Sequence, residues 1–301
     1  MKSPKVILIM LNWNGHEETL NCLKSLEQNT YPNTDLILID NGSTIENFQK
    51  LQKRLPKGII PHRIEKNQGF AGGMNFGLHI AEKEKPDYVI LLNNDTEVPP
   101  NMIATMTEIM EEHPKLSVLG PEMYSLPKKE NETPLSTGSI NLWTGTTPFE
   151  KKHAVSPFES CDFVHGCCFM VRWTTFKDIG FLDEDYYAYY EETDFCVKVK
   201  KSGKKLGVTP LTQIYHEESV STKRVSGLLE YLMLRNRILF LEKNASFFQK
   251  IFGISYSVFI YGSKRALRAI LYRQFNILPI LLKGCIDGFF KKPVWSGFFK
   301  E

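Results

Sequence analysis

Residues 88–97 read YVILLNNDTE, an apolar run that ends in two amides and a carboxylate, and the chain uses the same device twice before. Val6–Leu11 runs into Asn12-Trp13-Asn14-Gly15, and Leu36–Ile39 into Asp40-Asn41-Gly42-Ser43. Short runs rich in Val, Ile and Leu read as strands buried on both faces. Between them Leu20, Leu23 and Leu26 recur at helical spacing, as do Phe48 and Leu51, and Ala71–Glu84 and Ile103–Glu112 also fit helices. Such alternation predicts an α/β fold with a parallel sheet covered on both faces, which binds ligands beyond the carboxyl ends of its strands. Asn, Asp, Gly and Ser are ordinary turn residues, so one such cluster carries no weight. Three clusters at strand ends without a spacer point to a site, with Asp40 and Asp95 as its candidate carboxylates.

Further along, Ile59–Ile64 is a weaker strand, and Pro, Thr, Ser and Gly break up residues 120–160, which predicts a long excursion or hairpin over the site. Phe163–Val171 reads as a strand returning to the core, followed by helices from about Glu191 and from Ser226 to Lys243. Residues 247–301 carry nine Lys/Arg against two Asp/Glu, so +7 of a net charge of +3 lies there and residues 1–246 carry −4. The expected division is therefore a main domain over 1–246 and an amphipathic helical extension over 247–301, where Phe247, Phe248, Ile251, Phe252, Tyr256, Phe259 and Ile260 keep helical spacing. Two readings stand for this extension: a segment lying on an anionic membrane surface, or a helical subdomain packed on the main domain. Nucleic-acid binding is not expected, because these aromatics follow a helical pattern and do not form an exposed stacking platform.

Cys22, Cys161, Cys167, Cys168, Cys196 and Cys285 form no C-x-x-C pair and sit mostly in apolar runs, as reduced core thiols would, so zinc is not expected. Val6–Leu11 is too short for a signal-peptide core, and the longest uncharged candidate for an apolar span, Ile251–Ser263, has 13 residues, against the roughly 18 of a membrane span. The expected location is the cytoplasm, with a peripheral place on the inner face of its membrane if the extension binds lipid.

For chemistry, Asn67-Gln68-Gly69-Phe70-Ala71-Gly72-Gly73-Met74-Asn75-Phe76-Gly77 sets small residues at a helix start, where free amides can meet a phosphate or ribose. It lacks the G-x-G-x-x-G spacing, and no G-x-x-x-x-G-K-[ST] occurs, so hydride-transfer and P-loop chemistries lose their main support. Asp95 with neighbouring amides suits Mg²⁺ or Mn²⁺, which take few protein ligands and complete their shell with substrate phosphates and water. Glu191-Glu192-x-Asp194 places three acids at a helix start, where the macrodipole favours them. Phe195, Cys196 and Val199 set the core face of that helix one turn on, so a carboxylate there can also serve as general base. His216 closes an apolar segment and can reach a metal or diphosphate oxygen, whereas His165 lies within Phe163–Val171 as a core or acceptor-wall residue.

In order, Asn12-Trp13-Asn14-Gly15, Asp40-Asn41-Gly42-Ser43, Asn67 to Asn75, Asn93-Asn94-Asp95-Thr96, Asp162-Phe163-Val164-His165-Gly166, Gly180-Phe181-Leu182-Asp183-Glu184, Tyr190 to Asp194 and Arg235-Asn236 resemble the motifs of family 2 glycosyltransferases, with closest likeness to the rhamnosyltransferase-like subgroup. The likeness covers about residues 4–245. It implies a GT-A fold, a mixed Rossmann-like sheet flanked by helices, and inverting transfer from a nucleotide-diphosphate sugar such as dTDP-rhamnose or a UDP-sugar to a glycan or lipid-linked glycan. It also implies donor contacts from Asn12, Asn14, Asp40 (to the base), Asn67, Gly69, Asn75, Asn94 and Asp95, with Mg²⁺ or Mn²⁺ on Asp95 and His216. Glu192 falls at the position of the family's catalytic base, flanked by Glu191 and Asp194, and Asp162, His165 and Gly166 shape the acceptor side. Two departures stand out: Asn93 replaces the first acid of a D-x-D, and Glu192 replaces an Asp, which leaves Glu191 as an alternative base. Two other readings are a sugar-nucleotide nucleotidyltransferase and a non-catalytic carbohydrate- or membrane-binding protein of the same fold.

Overall fold

The computed structural model describes residues 3–217 and 225–299, so Lys300 and Glu301 of the expected extension lie outside the described residues. The first half is the expected alternation: β1 (Val6–Asn12), α1 (His16–Leu26), β2 (Thr34–Asn41), α2 (Ile45–Arg54), β3 (His62–Ile64), α3 (Gly69–Lys83) and β4 (Tyr88–Asn93). β1 to β4 pair in parallel in the order β3-β2-β1-β4. The side chains of Val6–Met10 and Tyr88–Leu92 are all buried, each apolar one contributing about 1.5–3 kcal/mol. Alternate residues face two cores: Ile7, Ile9, Val89 and Leu91 pack against α3, while Leu8, Met10, Ile90 and Leu92 pack with Cys22 and Leu23 of α1.

The second half departs from a simple parallel sheet. β5 (Thr96–Glu97) and α4 (Met102–Glu112) lead into β6 (Leu116–Ser125), a ten-residue strand that runs into the region expected to be an excursion. Pro121 hid it, yet a proline is tolerated there: pairing of β6 with the next core strand ends at Leu119, and on its other side Pro121 meets a register break. The excursion itself is shorter and consists of β7 (Leu135–Gly138), β8 (Phe149–Lys151) and β9 (Glu159–Ser160).

The returning strand β10 covers only Cys168–Arg172 and runs antiparallel between β4 and β6, so the sheet is mixed. Residues 163–167, expected within that strand, form the loop that enters it. After α5 (Trp173–Ile179), α6 (Glu191–Lys201) and β11 (Lys205–His216), the sheet order is β3-β2-β1-β4-β10-β6-β11-β5.

α7 (Leu228–Asn244) joins the main domain to α8 (Phe247–Tyr256), α9 (Ser263–Leu271) and α10 (Ile277–Phe289). α10 lies against α7 through Gly284 and Gly288, where a Cβ would stand 3.0 Å from Tyr231 O and 2.6 Å from Arg235 O. Tyr231 Oη donates to the buried Asp287 carboxylate at 2.7 Å, and Arg235 Nε donates to Lys292 O at 3.1 Å. The extension is thereby packed onto α7, while Phe247, Phe248, Phe259, Leu271 and Phe275 on its outer side remain exposed.

Candidate active site

A cavity of about 500 Å³ opens beyond the carboxyl ends of β1, β2 and β4, and strand register decides what reaches it. Asn12, Asp40 and Arg63 are register partners on three adjacent parallel strands, so they share one face. Asn12 Nδ2 donates to Asp40 Oδ1 at 2.7 Å, and Arg63 Nη1 donates to Asp40 Oδ2 at 3.1 Å. Both oxygens of this fully buried carboxylate are engaged, so Asp40 and Asn12 lie outside the cavity lining. Asn14 is also outside it; its Oδ1 accepts from Thr44 N at 2.9 Å and ties the first turn to the second.

The residue after Asp40 points the other way. Asn41 lines the cavity, donates to Gly69 O at 2.8 Å and accepts from Gln68 N at 3.1 Å, so it shapes the Asn67–Gly69 turn, whose Asn67 and Gly69 also line the cavity. Gly69 has φ +75°, and a Cβ there would stand 2.4 Å from Tyr187 O, so a larger residue would displace the tyrosine loop. Asn75, expected as a donor contact, is instead bonded to Leu182 O at 2.9 Å and Glu184 Oε1 at 2.8 Å, and locks α3 to the segment before α6.

Asn93, Asn94 and Asp95 line the cavity where β4 ends. The pairing of His216 with Thr96 brings His216 Nε2 to 3.1 Å from Asp95 Oδ1 and 3.3 Å from Asn93 Nδ2. Asn93 Oδ1, Asp95 Oδ1 and His216 Nδ1 are buried and lack a hydrogen-bond partner, an arrangement costing about 1–3 kcal/mol per group unless a ligand completes it. A carboxylate and an imidazole 3.1 Å apart fit a divalent cation that leaves positions for phosphate and water.

His165 stacks on Phe149 at 4.8 Å and meets His216 edge-on at 5.5 Å. Its Nδ1 accepts from Cys167 N at 3.2 Å, so in the neutral ring the proton sits on Nε2. Burial first, then the neighbouring His216, pushes its pKa down to about 3. His165, Cys167 and His216 bring ligand atoms within 4.8 Å of one another. Cys167 thus belongs to the cavity wall, where the sequence placed a core thiol, because β10 begins one residue later.

Glu191 and Glu192 line the cavity at the start of α6, and each has an Oε2 with no hydrogen-bond partner. Burial pushes both pKa values up, and for Glu191 repulsion from Glu192 adds to it. Backbone N–H groups of the helix start and the Thr193 hydroxyl act in the opposite direction on Glu192. The Glu192 side chain passes close to Gly166, where a Cβ would stand 3.2 Å from its Cγ.

Asp194 is not part of this pair. Its carboxylate accepts from Tyr186 Oη at 3.2 Å and Asn244 Nδ2 at 2.7 Å and pairs with Lys198 at 2.8 Å, because each helical residue turns the side chain by about 100° and carries it off the cavity face. Asp162 is likewise outside the cavity; it accepts from Ile140 N at 2.9 Å and pairs with Lys200 in a separate surface depression. His165 and Gly166 of the same motif do line the cavity.

The acid pair is held by a strained turn. Tyr187, Tyr189 and Tyr190 have φ of 67°, 68° and 75°, which costs each non-glycine residue about 1–3 kcal/mol. Asn236 of α7 compensates by donating its amide to Tyr186 O, Ala188 O and Tyr189 O at 2.9, 2.8 and 2.8 Å. Trp13, Asn41, Cys167, Met233 and Arg265 also line the cavity and were not named as site residues from the sequence. Only Asn41 and Trp13 carried a signal, since both adjoin strand-end motifs.

Residues 7–180 match the model of glycosyl transferase family 2. The chain belongs to that family. The glycosyltransferase is 27% identical over 293 residues to a low-salt glycan biosynthesis hexosyltransferase of Haloferax volcanii, covering 93% of this chain and 90% of the relative. It is 25% identical over 224 residues to an N-acetylglucosaminyl-diphospho-decaprenol L-rhamnosyltransferase of Mycobacterium tuberculosis, covering 67% and 72%. Among solved structures, a mannosyltransferase of Pyrobaculum calidifontis in complex with GDP-Man and Mn²⁺ superposes with a TM-score of 0.59 at 11% identity over 97% of this chain and 89% of that one. The glycosyltransferase has a GT-A fold, and its membership in the family sets aside the nucleotidyltransferase and non-catalytic readings.

Proposed function

We propose that this glycosyltransferase moves a hexose or deoxyhexose, of the dTDP-rhamnose or UDP-sugar type, from its nucleotide diphosphate to a hydroxyl of a lipid-diphosphate-linked glycan, with inversion, in the assembly of a surface polysaccharide. The observation that carries this reading is one cavity that holds two acids with unpartnered oxygens, Glu191 and Glu192, together with the orphaned set Asn93, Asp95 and His216. The lipid-linked acceptor and the rhamnosyl donor draw on the mycobacterial relative's name.

In this mechanism Asn41, Asn67 and Gly69 shape the nucleotide side of the cavity. Asp40, held by Asn12 and Arg63, sets the turn beneath it and does not itself meet the base. Asp95 and His216, 3.1 Å apart, would hold Mg²⁺ or Mn²⁺; that ion would supply positive charge opposite the diphosphate as it leaves. Glu192 takes the proton of the acceptor hydroxyl as its oxygen bonds to the sugar C1 and the C1–phosphate oxygen bond breaks on the opposite face. Charge develops on the ring much as in glycoside hydrolysis. His165 Nε2–H is a fixed donor on the acceptor wall. Nucleoside-diphosphate release is the test: across a panel of dTDP- and UDP-sugars with lipid-linked acceptor and Mn²⁺, one donor class should give acceptor-dependent release. Tight donor binding with no release under any acceptor would refute transfer.

We further propose that residues 1–246 form the transferase unit and residues 247–301 an appendage that meets an anionic bilayer at the inner face of the cytoplasmic membrane. No helix of the described residues is long and apolar enough to cross a membrane. Exposed Phe247, Phe248, Phe259 and Leu271 share their segment with Lys250, Lys264, Arg268 and Arg273, the pairing an interfacial helix uses. In a flotation assay the protein should rise with vesicles containing phosphatidylglycerol and stay behind with pure phosphatidylcholine; changing Phe247, Phe248 and Phe259 to Ser should abolish flotation. Equal flotation of wild type and variant would remove the membrane reading.

A further inference from the structure

Arg265 stands apart from the other basic residues of the C-terminal segment. Among the described residues it is the one Lys or Arg that lines the active-site cavity, and none of them offers it a carboxylate at ion-pair distance. It is half-buried, a costly state for a guanidinium with no counter-charge. Its position is fixed: Nε and Nη2 donate to Tyr261 Oη at 3.3 and 3.0 Å, one turn earlier. The Tyr261 ring is in turn packed by Arg237, 4.4 Å from its centroid, and Arg237 Nε is anchored on Thr144 O at 2.9 Å. The guanidinium therefore keeps Nη1 and half of Nη2 for an incoming acceptor of hydrogen bonds.

A fixed, unpaired guanidinium on a cavity wall selects an oxyanion, and phosphate matches its fork best. The surroundings decide which phosphate. Leu228, Leu229 and Met233 line the same cavity, and Arg265 shares its helix with exposed Leu267, Ile270 and Leu271. A ligand whose anionic group continues into an apolar chain satisfies both features, whereas a nucleotide diphosphate continues into polar ribose and base. We propose that Arg265 binds the diphosphate of a prenyl-diphosphate-linked acceptor, so that the C-terminal segment completes the acceptor site. This deepens the lipid-linked reading given above and rests on it for the identity of the acceptor.

The test is equilibrium binding by the full chain, without turnover, of a short prenyl diphosphate, the matching prenyl alcohol and the nucleoside diphosphates UDP and dTDP. Wild type should bind the prenyl diphosphate about tenfold or more tighter than the alcohol. Arg265→Gln should erase that preference, Arg265→Lys should keep part of it, and both should bind the nucleoside diphosphates as wild type does, which also reports a folded donor site. The proposal is overturned if wild type shows no preference for the diphosphate, if Arg265→Gln retains it, or if the substitution weakens nucleoside-diphosphate binding and leaves the prenyl ligand unaffected. The last result would assign Arg265 to the donor. Failure of every donor to give transfer, with an Arg265-dependent preference intact, would sink the proposed reaction and leave this site standing.

Discussion

Replacing Glu192 by glutamine should lower kcat by roughly three orders of magnitude, the middle of the range for removing a general base, with little change in donor binding. Glu191→Gln should cost far less. The two side chains compete for the same role, and the geometry separates them. Burial raises both pKa values, but Glu192 has the hydrogen bonds of the helix start and of Thr193 in its favour, while Glu191 is raised well above the ordinary value of 4.5 by burial and by Glu192 itself. The two carboxyls titrate as a coupled pair, and the hydrogen bonds of the helix start and Thr193 favour the ionised form of Glu192. A base works when ionised, so activity should fall as pH drops through the raised pKa of Glu192, and the limb should vanish in the residual rate of Glu192→Gln. The same shifts bear on stability. A carboxyl whose pKa is raised by folding binds more protons folded than unfolded, so its contribution is fully present below 4.5 and is lost as pH rises through the folded value. Thermal melts should therefore show wild type losing stability as pH rises from 4.5, and Glu191→Gln losing less. If Glu191→Gln is the inactive variant and Glu192→Gln the active one, the assignment of the base is reversed.

How much of this was legible in the sequence follows from side-chain parity and register. The strand-end clusters located the cavity, because apolar runs of β1, β2 and β4 set their polar termini at one sheet edge. Periodicity could not say which member of each cluster faces the ligand: Asp40 and Asn41 are neighbours, yet one is buried against Arg63 and the other lines the cavity. Only the pairing of β2 with β1 and β3 fixes that choice, and it is a long-range property. The same limit applies to Asp194, two residues beyond Glu192 and turned away by helix geometry. β6 was hidden because a proline reads as a break, and its tolerance depends on where neighbouring strands stop pairing. Arg265 lies 170 residues beyond Asp95 in a segment that looked like a separate appendage, so only the packing of the C-terminal helices on α7 could bring it to the cavity.

Asp95→Asn should lower kcat by about 10²–10³-fold, the scale of losing one element of charge stabilisation at a departing anion, and should make the remaining rate insensitive to chelator. Wild type should lose activity with EDTA and regain it with Mn²⁺ or Mg²⁺. The expectation rests on Asn93, which has no charge: with a neutral amide where a D-x-D would have an acid, Asp95 is, among the described residues, the one carboxylate at ion-pair distance from His216, and its Oδ1 lacks a hydrogen-bond donor. Removing it leaves an imidazole and two amides, a set without the formal charge a hard divalent cation requires. Direct binding separates this from a folding defect. Calorimetric titration with Mn²⁺ in the presence of nucleoside diphosphate should show one site in wild type and none in Asp95→Asn, while the melting temperature without metal should not fall, because the substitution removes a buried carboxylate with an unsatisfied oxygen. His216→Ala should fall between the two, since Asp95 stays in place. A wild-type enzyme that works at full rate in EDTA would remove the ion from the leaving-group role and pass that role to a hydrogen-bond donor on the cavity wall, with the His216 ring, 3.1 Å from Asp95, as the first candidate.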